Sequence, residues 1–178
     1  MPWTAAACGR AGTVHLGGSM EQIAVAEADV HAGRMPRHPF VLVGQQYVCD
    51  PTRSVGDLHP VWAYAHVPAG FTGDATEAIL GQIERFAPGV RDRIIEMSVR
   101  GPGQLEAHNA NYIGGDIASG ANDAWQTLFR PRLALDPYAT GVPGVYLCSS
   151  ATPPGAGVHG MCGFLAAQRA LDHLERRG

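Results

Sequence analysis

The stretch Gly144-Val145-Tyr146-Leu147-Cys148-Ser149-Ser150-Ala151-Thr152-Pro153-Pro154-Gly155-Ala156-Gly157-Val158-His159-Gly160-Met161-Cys162-Gly163 decides how the chain reads. Pro143-Gly144 is a turn, and Val145 to Ser150 is an apolar run of strand length. The Pro/Gly loop that follows continues neither a strand nor a helix. A last helix is expected from near Gly157, with Met161, Leu165, Leu171 and Leu174 turned inward. Arg176 and Arg177 suit its C-terminal dipole end, and Gly178 closes it. A strand feeding a glycine-rich turn and then a helix is a general cradle for anions and planar cofactors. The first N–H groups of the helix have no partner of their own, and its dipole favours negative charge there. Gly155 and Gly157 remove side chains that would hold a ligand away, while Gly160 and Gly163 let the helix approach a neighbour closely. The spacing is not that of GxGxxG followed by an acidic residue about twenty positions on.

Around that stretch lies a chain of 178 residues, 46% of them hydrophobic, with a formal net charge of −3. This is the composition of a soluble globular protein the size of one ordinary domain, and it carries no electrostatic footprint for nucleic acid or an anionic membrane. All 13 basic residues are arginine. Schiff-base chemistry and a Walker-type phosphate lysine are therefore excluded for residues of this chain. The four cysteines, Cys8, Cys49, Cys148 and Cys162, show no CxxC spacing. Cysteines in apolar stretches, such as Cys148 and Cys162, behave as small buried hydrophobes, and a reduced, cytoplasmic setting is expected. Neither a secretory signal nor an integral membrane span is read: Met1 to Ala7 lacks a basic start, and Gly and Pro interrupt the apolar stretch near 145–167.

Further upstream, Gly12 to Leu16 reads as a short strand ending at Gly17-Gly18. Ser19 with Gln22 forms a capping box for a helix running to about Ala32. Phe40 to Val43 reads as a buried strand. Val61 to Val67 alternates, with Val61, Ala63, Ala65 and Val67 on one side and Trp62, Tyr64 and His66 on the other, either packed on a helix or lining a cavity. Asp74 and Glu77 form a second capping-box pattern before the helical repeat Ile79, Leu80, Ile83, Phe86, which Pro88-Gly89 stops. Val90 to Val99 reads as a helical turn leading into a strand. Gly101 to Arg132 reads as loop-rich, a length that implies packing over something or disorder.

The stretch 144–163 resembles the C-terminal signature of the phytoene-dehydrogenase-related FAD-dependent oxidoreductases, and within them the branch of pyridine nucleotide-disulphide oxidoreductase domain-containing proteins. Asp50-Pro51-Thr52-Arg53, Trp62-Ala63-Tyr64-Ala65-His66-Val67-Pro68, Arg85-Phe86-Ala87-Pro88-Gly89, Gly114-Gly115-Asp116-Ile117 and Phe129-Arg130-Pro131 are similar to that family's landmarks, in its order. The resemblance covers nearly the whole chain from about Gly12.

It implies an α+β fold. Residues 1–140 would be the substrate-binding domain portion, a mixed sheet with flanking helices. Residues 141–178 would be the strand–loop–helix of a Rossmann-like FAD domain whose N-terminal unit is absent here. It further implies FAD as cofactor, with Val158, His159 and Gly160 near the flavin ring and Ser149, Ser150, Gly155 and Gly157 near its linker. The expected activity is dehydrogenation of a largely apolar small molecule. Some amine-oxidase-like relatives place a lysine near the flavin, which this chain does not have.

Trp62 and Tyr64 are the expected substrate contacts, and no catalytic residue is named beyond His159. That histidine is either an acid–base group or a shaper of the loop through a backbone hydrogen bond. Asp50 and Asp116 are cavity groups or turn formers. Cys148, His159 and Cys162 match no common zinc spacing, so no metal is expected. The expected partners are an N-terminal FAD-domain polypeptide or a second copy. The rival function is a non-catalytic interaction module that oligomerises through an exposed domain interface.

Overall fold

Alternation in three four-residue segments builds the sheet. In the computed structural model, which describes residues 1–121 and 124–176 and only the backbone of Thr127 and Leu128, the strands are β1 (Thr13–Leu16), β2 (Val41–Gly44) and β3 (Trp62–Ala65). They pair in the order β1-β2-β3. Both pairings are antiparallel, with Val14 opposite Val43 and Val43 opposite Ala63. The register puts Val14, Leu16, Val41, Val43, Ala63 and Ala65 on one face. His15, Leu42 and Tyr64 share the other. The expected mixed sheet is thus an antiparallel one: consecutive strands reverse direction, and no parallel crossover occurs among the described residues.

The helix over the first face is α3 in chain order, after α1 (Met20–His31) and α2 (Gln46–Cys49), and it runs Thr76–Phe86. Its Ile83 joins Val14, Leu16, Val41, Val43, Ala87 and Val90 in the core, with Ile79 and Phe86 packed against them. Each such aliphatic side chain contributes roughly 1.5–3 kcal/mol by leaving water.

The capping box of α1 is formed as read: the Ser19 hydroxyl accepts from the Gln22 N–H, and the Gln22 side chain accepts from the Ser19 N–H, both at 3.3 Å. That of α3 is not. Ala75 occupies its N-cap, the Asp74 carboxylate accepts from the Thr76 N–H one position too early, and Glu77 reaches Arg91 instead at 3.1 Å. The turn after Val90 is a 3-10 turn over Arg91–Arg93. The expected strand beyond it makes no ladder.

Contacts divide the chain into two compact units, Met1–Gln104 and Leu105–Gly178. The boundary implied near residue 140 falls inside the second. Helix α4 (Pro102–His108) spans the junction, followed by a 3-10 turn (Ile113–Gly115), α5 (Ala124–Phe129) and α6 (Met161–Glu175). The loop-rich reading of 101–132 therefore resolves into short helical pieces.

Val145 to Ser150 is not a strand. Tyr146 makes only an isolated bridge to Ala139, and the Leu147 N–H donates to the Tyr138 carbonyl at 2.7 Å. A strand exists only against a ladder partner, and within this unit the segment folds back on 138–140 alone. Helix α6 starts at Met161 and not near Gly157, because Gly160 at its N-cap has a positive φ of 65°. Its inward stripe is Cys162, Leu165, Ala166 and His173, whereas Met161, Leu171 and Leu174 are exposed. Arg177 and Gly178, expected to end this helix, lie outside the described residues.

In the first unit the fully buried Gln45 amide holds the N-terminal segment. It donates to the Cys8 and Ala11 carbonyls at 2.8 and 2.9 Å, and accepts from the Trp3 indole at 2.8 Å and the Tyr47 hydroxyl at 3.1 Å. Replacing Gln45→Leu leaves these groups without partners and is expected to cost about 3 kcal/mol or more. Ser19→Ala, which removes only a surface cap, is expected to cost about 1 kcal/mol. Urea unfolding of the two variants checks the ranking.

Candidate functional site

The loop from Ser149 to Gly155 is shaped first by its own residues. Buried Thr152 donates its hydroxyl to the Ser149 carbonyl at 2.7 Å, and its N–H donates to the same oxygen at 2.9 Å. The Ser149 hydroxyl accepts from the Ala151 N–H at 2.9 Å, and the Gly155 N–H closes a second turn on the Thr152 carbonyl at 2.8 Å. These are the short-range bonds that Ser, Thr and Gly make in place of regular structure.

More distant residues then fix the loop from beneath. The Arg130 guanidinium, only 2% exposed, donates to the carbonyls of Ser150, Gln126 and Ala121 at 2.9, 3.0 and 3.1 Å. The Tyr138 hydroxyl donates to the Pro153 carbonyl at 2.8 Å. Burial, with a smaller contribution from Cys162, pushes that phenol above its ordinary value, which keeps its proton in place. The Cys162 thiol lies 3.4 Å from both the Thr152 and Gly155 carbonyls. The Ser150 hydroxyl donates to the Ser119 hydroxyl at 3.0 Å.

Asp116 supplies that last partner. Its carboxylate accepts from the Ala118 and Gly120 N–H groups at 2.7 and 2.5 Å, winding the turn that carries Ser119 and Ala121. It is a turn former. So is Asp50, which caps the 3-10 turn Pro51–Arg53 and whose carboxyl is held below the usual aspartate value by hydrogen bonds from Thr52 and then Arg53.

Above this floor the chain is open. Gly155 is buried, but Ala156, Gly157, Val158, His159 and Gly160 are exposed, and the apolar Val158 side chain stands free in solvent. No side chain caps α6 through Gly160. The His159 Nδ1 accepts from the Met161 N–H at 3.0 Å, so the histidine holds the first turn of the helix. Phe164 is the first residue to donate back into the helix, to Gly160. The N–H groups of Cys162 and Gly163 precede that ladder, as at any helix start.

The expected cofactor residues thus form one continuous loop, with Ser149 and Ser150 in its base and Gly157, Val158, His159 and Gly160 on its rim. Sequence reasoning missed Arg130 as the centre of the floor. Its only signal was membership of the landmark Phe129-Arg130-Pro131, with nothing local to tie it to residue 150. No cluster of three or more metal-ligating side chains occurs among the described residues.

Trp62 and Tyr64 belong to the other unit. There α3 takes the Ala63/Ala65 side of β3, and the opposite side carries a run of rings. Trp62 lies 5.0 Å from Tyr64, Tyr64 6.1 Å from His66, His66 5.8 Å from Phe40, and Phe40 5.4 Å from His15, centroid to centroid. Trp62 is half exposed, and the His66 imidazole is paired with Glu27 at 2.9 Å.

Among curated proteins, the chain is similar to the pyridine nucleotide-disulfide oxidoreductase domain-containing protein 2 of Rattus norvegicus. The two are 37% identical over 159 residues, 83% of this chain and 27% of that protein. The protein of the same name from Mus musculus is 37% identical over 94 residues, 52% of this chain and 16% of that protein. The chain therefore spans about a quarter, or less, of the length of these relatives, and its kinship is with part of proteins named as oxidoreductases. No family model matches, and no solved structure does. No helix among the described residues is long and apolar enough to cross a membrane.

Gly155 tests the floor. Its φ is +100°, and a Cβ there would lie 2.9 Å from the Arg130 Nη1. Gly155→Ala is expected to cost about 1–3 kcal/mol from the backbone alone. Arg130→Met, which removes the donor to three carbonyls, the part-buried Ser150 carbonyl among them, is expected to cost at least as much. A double-mutant cycle read by thermal unfolding should show the two positions coupled.

Proposed function

From this kinship we propose that the chain is part of an FAD-dependent oxidoreductase acting on a largely apolar small molecule, and that its loop 149–160 forms one wall of the flavin site. The observation that carries the reading is the contrast within the loop. Its base is pinned carbonyl by carbonyl, while its rim, residues 156–160, is exposed and leads into a helix start where the His159 Nδ1 takes the Met161 N–H and the Cys162 and Gly163 N–H groups precede the helical ladder.

The residues present suit a flavin. Exposed Gly157 offers no side chain against a planar ring, buried Gly155 lets the loop settle onto Arg130 beneath it, and the N–H groups of Cys162 and Gly163 are donors for the ring's carbonyl edge. The dipole of α6 favours the negative charge that a flavin gains on reduction. FAD, when bound, supplies the electron-accepting chemistry. The chain supplies position. Ser149 and Ser150 keep the loop base in shape, Val158, His159 and Gly160 meet the ring, and His159 does so with its Nδ1 already committed to Met161. No acid–base group is assigned. Within the first unit, considered by itself, Trp62 and Tyr64 offer flat apolar area of the kind a hydrophobic small molecule contacts. On this reading the grip on the ADP half of FAD lies on a polypeptide corresponding to the remainder of the relatives' length.

A second reading, a binding module without catalysis, is favoured by Leu133 and Leu135, which are 80% and 104% exposed. A flavin-free chain that forms stable complexes would favour it.

The chain is expected to retain little flavin alone and to retain it when mixed with the part of the rat relative outside the matched stretch, measured as visible flavin absorbance after gel filtration. No flavin in any of these preparations overturns the proposal. In the flavin-retaining mixture, Gly157→Val is expected to weaken retention at least tenfold while the chain stays folded by circular dichroism with a melting temperature lowered by a few degrees. Its Cβ would meet only the exposed His159 ring, at 2.7 Å.

A further inference from the structure

Residues 94–100 are Ile94-Ile95-Glu96-Met97-Ser98-Val99-Arg100, and from Ile95 onward apolar and polar side chains alternate with the period of a strand. Such a pattern belongs to a segment with one face covered and its backbone paired. Here neither condition is met. All seven residues are exposed, Ile95, Met97 and Val99 by 78%, 51% and 49%. Ile94 is extended, at φ −77° and ψ 117°. After the Ile94 N–H, which closes the preceding 3-10 turn, the next backbone N–H to donate is that of Gly101, to the Gln104 Oε1 at 2.9 Å. Residues 95–100 are thus a strand by pattern with an unpaired backbone on both sides, the kind of edge that recruits another strand.

We infer that this segment pairs with the same segment of a second copy of the chain, as an antiparallel ribbon about a two-fold axis through Met97. The segment is complementary to itself in that register. Ile95 stands opposite the second copy's Val99, Met97 opposite Met97, and Val99 opposite Ile95. All six apolar side chains then lie on one face, within the reach of cross-strand contacts. On the other face Glu96 stands opposite Ser98 and diagonal to both Arg100 and Glu96 of the second copy, so each Arg100 faces a carboxylate of the other chain across the ribbon. Shifting the register by one residue would set apolar against polar side chains throughout. Pro102, which has no N–H to donate, limits the ribbon at its end. The contact is isologous, one edge of each segment meeting the same edge of the other. It does not depend on the flavin reading: a flavin-free dimer leaves it standing.

The test uses the full chain with the exposed Cys49 and Cys148 replaced by serine. Light scattering from about 1 to 100 µM should show the mass rising from one chain to two, the range in which a small interface associates. Met97→Cys should cross-link to a covalent dimer on mild oxidation, because residues directly opposite have Cβ atoms about 4.5–5.5 Å apart. Ser98→Cys should cross-link at least tenfold less. Met97→Pro should hold the chain monomeric with an unchanged circular-dichroism spectrum. A chain that stays monomeric throughout overturns the inference. So do equal cross-linking at 97 and 98, a dimer that survives Met97→Pro, and growth beyond two chains.

Discussion

Buried carbonyl groups need donors, and this chain has few strands to provide them. Among the described residues the buried polar side chains Gln45, Gln82, Arg130 and Thr152 all donate to backbone carbonyls. Each does for irregular backbone what a ladder does in a sheet. No buried side-chain nitrogen or oxygen among the described residues lacks a partner. The first unit keeps its N-terminal segment against the sheet in this way, and the second holds the candidate cofactor loop in this way.

What was legible in the sequence follows from where the determining interaction lies. The capping box at Ser19 is a matter of four consecutive residues, and it forms as read. The apolar runs at β1 and β2 are also local signals, since alternation alone fixes which side chains go inward. Val145 to Ser150 looks equally like a strand, but a strand is a property of two segments, and its partner in this unit is three residues long. Helix α6 misleads for a related reason. Leucine at 171 and 174 suggested the buried face, whereas the small residue Ala166 is the buried one and Cys162 is what meets the loop carbonyls. Arg130 was hidden because an arginine between a helix and a proline carries no local mark of the carbonyls 20 residues away that it serves.

A loop with a fixed base and a bare rim meets the geometric demand of binding a flat cofactor. Preorganisation matters because every rotamer or turn ordered on binding subtracts from affinity. The base of this loop bears that cost during folding, through the bonds of Arg130, Tyr138 and Thr152 to its carbonyls. The rings on the outer face of the sheet differ in kind. They offer area and weak polarisability without directing any polar group, which suits an apolar contact and not a reacting centre.

The tether between the chain's start and α3 has a kinetic side as well. The Thr4 N–H and hydroxyl both donate to the Phe86 carbonyl at 3.0 Å, a closure across 82 residues, and Gln82 reaches Leu16 across 66. Contacts this remote in sequence carry the largest loop-closure entropy and slow the search for the native topology. The first unit should therefore be a slow folder for its size, with its opening residues docking late. A bulky fusion at Met1, which itself packs against the core, would then loosen the native state chiefly by speeding its unfolding.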